Sequence, residues 1–122
     1  MRPKVMSEIE ASILAHIASE TSDPALRAQL SRVRVIEREY TGCGCFTLLE
    51  PLVDAPETKE AYGQRGPLEG PIFESPSVEY GGGSLLWFKD GRAHKLEIYA
   101  NGDSFPEDHK NIVELKIIRW VR

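Results

Sequence analysis

The sequence predicts an α+β domain, with N-terminal helices packed on one face of a mostly antiparallel sheet of about five to six strands. Near the N-terminus, Ile9, Ile13 and Ile17 recur at the spacing typical of an amphipathic helix. Later in the chain, two apolar runs flank Asp90-Gly91, the pair preferred by a two-residue type I′ hairpin turn. Helices first and strands afterwards, joined by short turns, favour this fold class.

Two helices are predicted before the first strand. Ser7 and Glu10 have the spacing of a capping box, in which each side chain binds the other residue's backbone N–H. A first helix is therefore expected over residues 8–19. Asp23 followed by Pro24 is typical of an N-cap with proline at the first helical position, which favours a second helix over residues 24–31.

The hairpin around Asp90-Gly91 is the centre of the predicted sheet. A two-residue loop there places Trp87 opposite His94 and Leu85 opposite Leu96. The face expected to lie on the helices then consists of Leu85, Trp87, His94, Leu96 and Ile98. Residues 33–40 and 43–49 are predicted to form another hairpin, and residues 112–121 a last strand.

Residues 51–76 differ in composition from the rest of the chain. They contain five prolines and three glycines, which disfavour regular structure. One helical turn within residues 57–62 and an edge strand at Ile72-Phe73 are the exceptions expected. We interpret residues 1–122 as a single domain that contains this segment, which is expected either to be disordered or simply to cover the sheet, or to act as a recognition loop.

Charge narrows the classes of partner. The net charge is −4, which disfavours nucleic acid as a partner. Residues 50–79 hold seven acids and only two bases. This stretch is either a solvated loop or a surface offered to a basic protein. The binding candidates are Glu57, Glu60, Glu69 and Glu74.

Location is predicted from what the sequence does not contain. No run of about 18 apolar residues is present, so no membrane span is expected. No secretory signal is recognised at the N-terminus, so a cytoplasmic location is expected. Oligomeric state stays open.

Catalytic motifs are absent, and only weak candidates remain. Glu97 lies inside a predicted strand, so its carboxylate must be solvated, be paired with another group or have a raised pKa. It could act with His94 and Asp103 in a carboxylate–histidine pocket. A strand carboxylate and a packed imidazole are the alternatives. The glycine run at residues 81–83 lacks the helix and lysine of a phosphate loop.

Cys43 and Cys45 are two residues apart, so their sulfurs would meet if both lay in one strand. A tetrahedral metal site needs two more ligands, and the three histidines show no ligand spacing. We expect both thiols to be free and to fill space, with no metal and no cofactor.

Two stretches resemble a known group of proteins. Arg38-Glu-Tyr-Thr-Gly-Cys-Gly-Cys-Phe-Thr47 is similar to a segment of the form (R/K)EYTGVGFFT. The stretch from Leu86 through Asp90-Gly91 and Leu96-Glu-Ile-Tyr-Ala-Asn-Gly to Glu107 resembles LxIKDGxxxxLEGYTYGEPWPE. Together they resemble small single-domain bacterial proteins of unknown function, some of them associated with toxin–immunity loci. The resemblance implies no catalytic residues.

These observations predict a non-catalytic protein-binding module of toxin-immunity type, whose partner is another protein, such as a basic toxin. The competing hypothesis is a small enzyme, or a ligand- or metal-binding protein, that uses the pocket around Glu97 and His94.

Overall fold

The computed structural model describes residues 4–102 and 104–118. Within them, two helices precede seven strands, and short 3-10 turns lie at Ala61–Gly63 and His109–Asn111. Neither of the described helices is long and apolar enough to cross a membrane. The elements are α1 (Glu8–Glu20), α2 (Pro24–Ser31), β1 (Arg34–Tyr40), β2 (Gly44–Glu50), β3 (Leu68–Glu69), β4 (Ile72–Ser75), β5 (Val78–Lys89), β6 (Arg92–Ala100) and β7 (Lys116–Ile118).

Both helices begin where the sequence predicts. The Ser7 hydroxyl accepts a hydrogen bond from the Glu10 N–H at 3.3 Å, and the Ser7 N–H donates to the Glu10 carboxylate at 2.8 Å, which completes the capping box. Asp23 accepts from the Ala25 N–H at 3.0 Å and caps α2. These caps satisfy N–H groups that have no partner inside their helices.

The seven strands form one sheet, in which six follow the order β1-β2-β6-β5-β4-β7 and β3 pairs with β5 outside this order; every pairing is antiparallel. Strand β5 is long enough to pair with β4 along its first half and with β3 along its second. The predicted α+β class is confirmed, with seven strands in the sheet. The segment 51–76 contributes β3 and β4 to the sheet and also forms one 3-10 turn.

The core lies between the helices and the inner face of the sheet. Helix α1 contributes Ile9, Ile13, Leu14 and Ile17, all buried. The sheet contributes Leu86, Leu96 and Ile98 from the central hairpin, each with no exposed surface. Burying one such side chain stabilises the fold by about 1.5–3 kcal/mol.

The turn of the central hairpin is confirmed, but its predicted register is wrong. Asp90 and Gly91 have φ values of 52° and 78°, as a type I′ turn requires. Trp87 pairs with Lys95 and Phe88 with Ala93, so His94 is an extra residue that forms a β-bulge. The bulge exchanges the two faces of β5 relative to the prediction. Leu86 faces the core, while Leu85 and Trp87 lie on the other face.

The last strand is shorter than predicted. Residues 112–115 are not in a strand because the Val113 backbone binds two serine side chains, donating to Ser77 and accepting from Ser75. Glu114 has a φ of 50°, which interrupts extended structure. β7 therefore begins at Lys116, and the predicted residues 119–121 lie outside the described part of the chain.

Candidate functional site

The residues predicted for a carboxylate–histidine pocket do not lie together. His94, at the bulge, lines a hollow at the tip of the hairpin together with Lys89 and Arg92. Burial lowers its pKa, and Lys89 and Lys95 lower it further. Glu97 lies on the outer face of the sheet, where it accepts a hydrogen bond from Trp87 Nε1 at 3.0 Å. Asp103 lies outside the described residues.

On the outer face of the sheet, the charged side chains of Lys95 and Glu97 both contact aromatic residues. The Lys95 Nζ atom is 4.8 Å from the centroid of the Phe46 ring and 5.8 Å from that of Trp87. Such cation–π contacts, together with the Trp87–Glu97 hydrogen bond, give both charged groups partners on this face. Glu97 is thus a hydrogen-bonded strand carboxylate.

The two cysteines occupy different environments. Cys45 is buried in the core, with its Sγ 3.7 Å from the Thr47 hydroxyl, whereas Cys43 is exposed before the start of β2. Both thiols are free. Across residues 4–102 and 104–118, no group of three or more His, Cys, Asp or Glu side chains is placed to hold a metal ion.

Two of the four acidic binding candidates line the same cavity. Glu60 and Glu69 both border a cleft between the end of α1, the start of α2 and residues 60–71. Glu57 lies beside the hairpin turn, where its Cβ would be 3.1 Å from a Cβ added to Gly91. Glu74 lines a different hollow at the β4–β5 turn.

This acidic cleft has a volume of about 520 Å³. Ile17, Leu68 and Pro71 give it apolar walls, and no lysine or arginine is among the described residues that line it. Its ionisable groups are four carboxylates, one imidazole and the phenol of Tyr62. The lining residues are His16, Ile17, Glu20, Thr21, Ser22, Asp23, Glu60, Tyr62, Leu68, Glu69, Gly70 and Pro71.

Asp23 anchors one wall of the acidic cleft. Its second carboxylate oxygen accepts hydrogen bonds from the Thr58 and Tyr62 hydroxyls. Burial alone would raise its pKa, but these hydroxyls and the backbone N–H groups of Ala25 and Leu26 outweigh burial and lower the pKa. For Tyr62, burial and the Asp23 carboxylate together raise the pKa to about 12. Asp23 is therefore ionised at neutral pH and ties residues 58–62 to the start of α2.

A second cluster lies inside the fold and was not predicted as a site. The Glu10 side chain has no exposed surface. Arg38 binds it in a bidentate manner at 2.8 and 2.6 Å, and the Thr47 hydroxyl donates to it at 2.6 Å. Burial raises the pKa of Glu10, but the hydrogen bonds from Arg38, Ser7 and Thr47, with the charge of Arg38, lower it from 4.5 to about 2.

His109 borders this cluster from the other end of the chain. Its Nδ1 is 2.8 Å from the Ser7 hydroxyl and 3.9 Å from the Glu10 carboxylate. The capping box was visible in the sequence because Ser7 and Glu10 are three residues apart. The other members of the cluster were missed because Arg38 and His109 are 28 and 102 residues from their partners, and no local pattern signals such a contact.

Comparisons of the chain with models of protein families, with curated proteins and with solved structures found no match.

Proposed function

We propose that this chain is a non-catalytic, cytoplasmic protein-binding module of the toxin-immunity type, and that it binds a basic toxin through the acidic cleft. The observation that carries the proposal is the cleft itself, in which the exposed Glu60 and Glu69 lie beside apolar walls, and the described residues that line it include no lysine or arginine. The resemblance of residues 38–107 to proteins associated with toxin–immunity loci supports the same class of partner.

The cleft also borders the C-terminal end of α1. The partial negative charge of the helix dipole at that end is already met by Arg27, whose guanidinium donates to the carbonyl oxygens of Ala18 and Thr21. A cationic side chain from a partner would therefore be attracted mainly by the carboxylates of the cleft.

The shape of the cleft suits a long cationic side chain. The methylene stem of a lysine or arginine can pack on Ile17, Leu68 and Pro71, while its charged head reaches the carboxylates of Glu60 and Glu69. Complementary charge of this kind increases the rate of association and selects the partner. Both glutamates are exposed, so an approaching protein can reach them.

The competing hypothesis of a ligand site or small enzyme at Glu97 and His94 finds no support in the described contacts. Glu97 already accepts the Trp87 N–H on the outer face, and it is not among the residues that line the hollow beside His94. A general acid–base pair must be within reach of one substrate.

The test is a charge reversal in the cleft with a matched control. The double variant Glu60→Lys/Glu69→Lys is compared with Glu74→Lys/Glu79→Lys, which makes the same change in net charge at a different hollow. The proposal predicts that a basic protein is encoded beside this gene, and binding of the wild type and both variants to that purified protein is measured by calorimetry at low and at physiological salt. We expect the cleft variant to bind about five- to thirtyfold more weakly, because each of the two lost charge pairs contributes about 0.5–1 kcal/mol.

The control variant should stay within about threefold of the wild type, and salt should weaken wild-type binding more than that of the cleft variant. Equal weakening of the two double variants would mean that net charge alone matters and that the cleft is not the site. Failure of the wild-type chain to bind the neighbouring basic protein would overturn the proposed function.

A further inference from the structure

We propose that His109 is a pH-sensitive latch, which fastens residues 104–118 to the start of α1 and loosens when the imidazole takes up a proton. The inference is independent of the proposed function, because it concerns the opposite end of α1 from the acidic cleft.

The latch is a buried side chain at a junction of three segments. The His109 side chain is only 5% exposed. It reaches from a 3-10 turn to Ser7, the N-cap of α1, and its ring meets the rings of Tyr40 and Phe105 edge-on at centroid distances of 5.6 and 5.7 Å. This one side chain therefore joins the C-terminal segment to α1 and β1.

Only one of the two ring nitrogens of His109 has a hydrogen-bond partner. The Ser7 hydroxyl accepts from the Glu10 N–H and also bonds to Nδ1 of His109, where either atom can be the donor. Among the described residues, Nε2 of His109 is the buried side-chain polar atom that has no hydrogen-bond partner.

The charged groups around the ring do not offer a free partner to an added proton. The Glu10 carboxylate lies 3.9 Å from Nδ1, but Arg38, Thr47 and the Ser7 N–H already bind it. Burial lowers the pKa of His109 and Arg38 lowers it further, while Glu10 and Asp108 oppose them, and the net pKa lies below the ordinary 6.5. Tyr40 faces the ring as an uncharged phenol whose own pKa is raised, mainly by burial.

Protonation makes both ring nitrogens donors. Nδ1–H then donates to the Ser7 hydroxyl, whereas the Nε2–H of the charged ring stays buried without an acceptor. Opening of residues 104–118 places the imidazolium in water. It also separates Phe105 from Phe73, whose ring centroids are 6.4 Å apart in the closed form, and frees the edge of β4 from β7.

The sign of the pH dependence follows from linkage. The closed form has the lower pKa, so the open form binds more protons and the closed form loses stability as the pH falls below 6.5. One proton can raise the opening constant by at most about tenfold per pH unit. The effect levels off once the pH is below the pKa of the closed form.

Hydrogen exchange followed by mass spectrometry tests the latch on the full chain. Exchange is measured from pH 7.5 to about 5 and corrected for the intrinsic rate, a range in which Glu10, with a pKa of about 2, stays ionised. We expect the opening constant of residues 104–118 to rise below pH 6.5 by up to about tenfold per pH unit, while β2 and β6 stay unchanged. The rise should vanish in His109→Gln and persist in His94→Gln.

A titration of the imidazole resonances of the wild type by nuclear magnetic resonance makes the test independent of whether His109→Gln folds. A His109 pKa below 6.5 supports the latch. A pKa at or above 6.5, or an opening constant that does not depend on pH, overturns it. The same conclusion follows if the rise persists in a folded His109→Gln variant.

Discussion

Replacing Glu10 by glutamine tests how strongly one buried carboxylate stabilises this fold. The side chain has no exposed surface and accepts four hydrogen bonds, two of them from Arg38. Glutamine keeps the size but removes the negative charge. Arg38, whose side chain is 15% exposed, would be left with a mostly buried and unpaired positive charge.

Two lines of reasoning give the same magnitude for the loss. The fall of the Glu10 pKa from 4.5 to about 2 corresponds to about 3 kcal/mol in favour of the folded state at pH 7. Removal of one partner from a buried ion pair typically costs about 3–5 kcal/mol. We therefore expect Glu10→Gln to lower the free energy of unfolding by about 3 kcal/mol, a large share of the total for a domain of this size.

The pH dependence of this loss identifies its cause. The folded-state pKa lies below the unfolded one, so the contribution of Glu10 is present above pH 4.5 and is lost as the pH falls toward 2. By linkage, about 2 kcal/mol of the contribution of Glu10 to the free energy of unfolding is lost by pH 3. The difference in stability between the wild type and Glu10→Gln should therefore narrow over that range.

Urea unfolding between pH 7 and pH 3 measures both quantities. Glu8→Gln is the matched control, because Glu8 is an exposed carboxylate in the same first turn of α1 and its loss should change stability by less than about 1 kcal/mol. The reasoning is refuted if Glu10→Gln costs no more than Glu8→Gln, or if the difference from the wild type is the same at pH 3 as at pH 7.

Three further substitutions test other parts of the structure. Leu96→Ala should lower the free energy of unfolding in urea by about 2–5 kcal/mol, because Leu96 is fully buried. Trp87→Ala should lower it by only about 1–2 kcal/mol, because Trp87 is partly exposed, and equal losses would place Trp87 in the core. Gly91→Ala should cost about 1–3 kcal/mol, since Gly91 has a φ of 78° and an added Cβ would be 3.0 Å from a backbone carbonyl; an unchanged unfolding midpoint would contradict this. Asp23→Asn should lower the pKa of Tyr62 from about 12 toward 10, as measured by phenolate absorbance; an unchanged pKa would assign the whole shift to burial.

The helices and turns could be predicted because their signals are local. The caps of α1 and α2 depend on residues within three positions of each other, and Asp90-Gly91 supplies the positive φ values of its turn. The bulge at His94 has no such signal. It depends on contacts across the finished sheet: the Trp87 N–H donates to Glu97 on the outer face, while Leu86 fills the core.

The acidic cleft could be predicted only in part, for a related reason. The sequence shows that residues 50–79 are acidic, but it does not show which carboxylates meet. Glu60 and Glu69 come together because residues 60–71 fold against the end of α1. Glu57 instead lies beside the hairpin turn, and Glu74 lies on β4 at another hollow. Those contacts depend on the whole fold.

The distribution of partners among the ionisable groups explains why the surface is the better place to seek a function. A buried charge is tolerated when its hydrogen bonds are complete, and such a group is then unavailable for binding or catalysis. Glu10 meets this condition, and so does Asp23 within its wall of the cleft. The glutamates at residues 60 and 69 are exposed and face a cavity with apolar walls, where a cation from another protein would gain both a charge partner and a place for its stem. A carboxylate that the fold has already saturated stabilises the fold, whereas one left at the mouth of a cleft is free to select a partner.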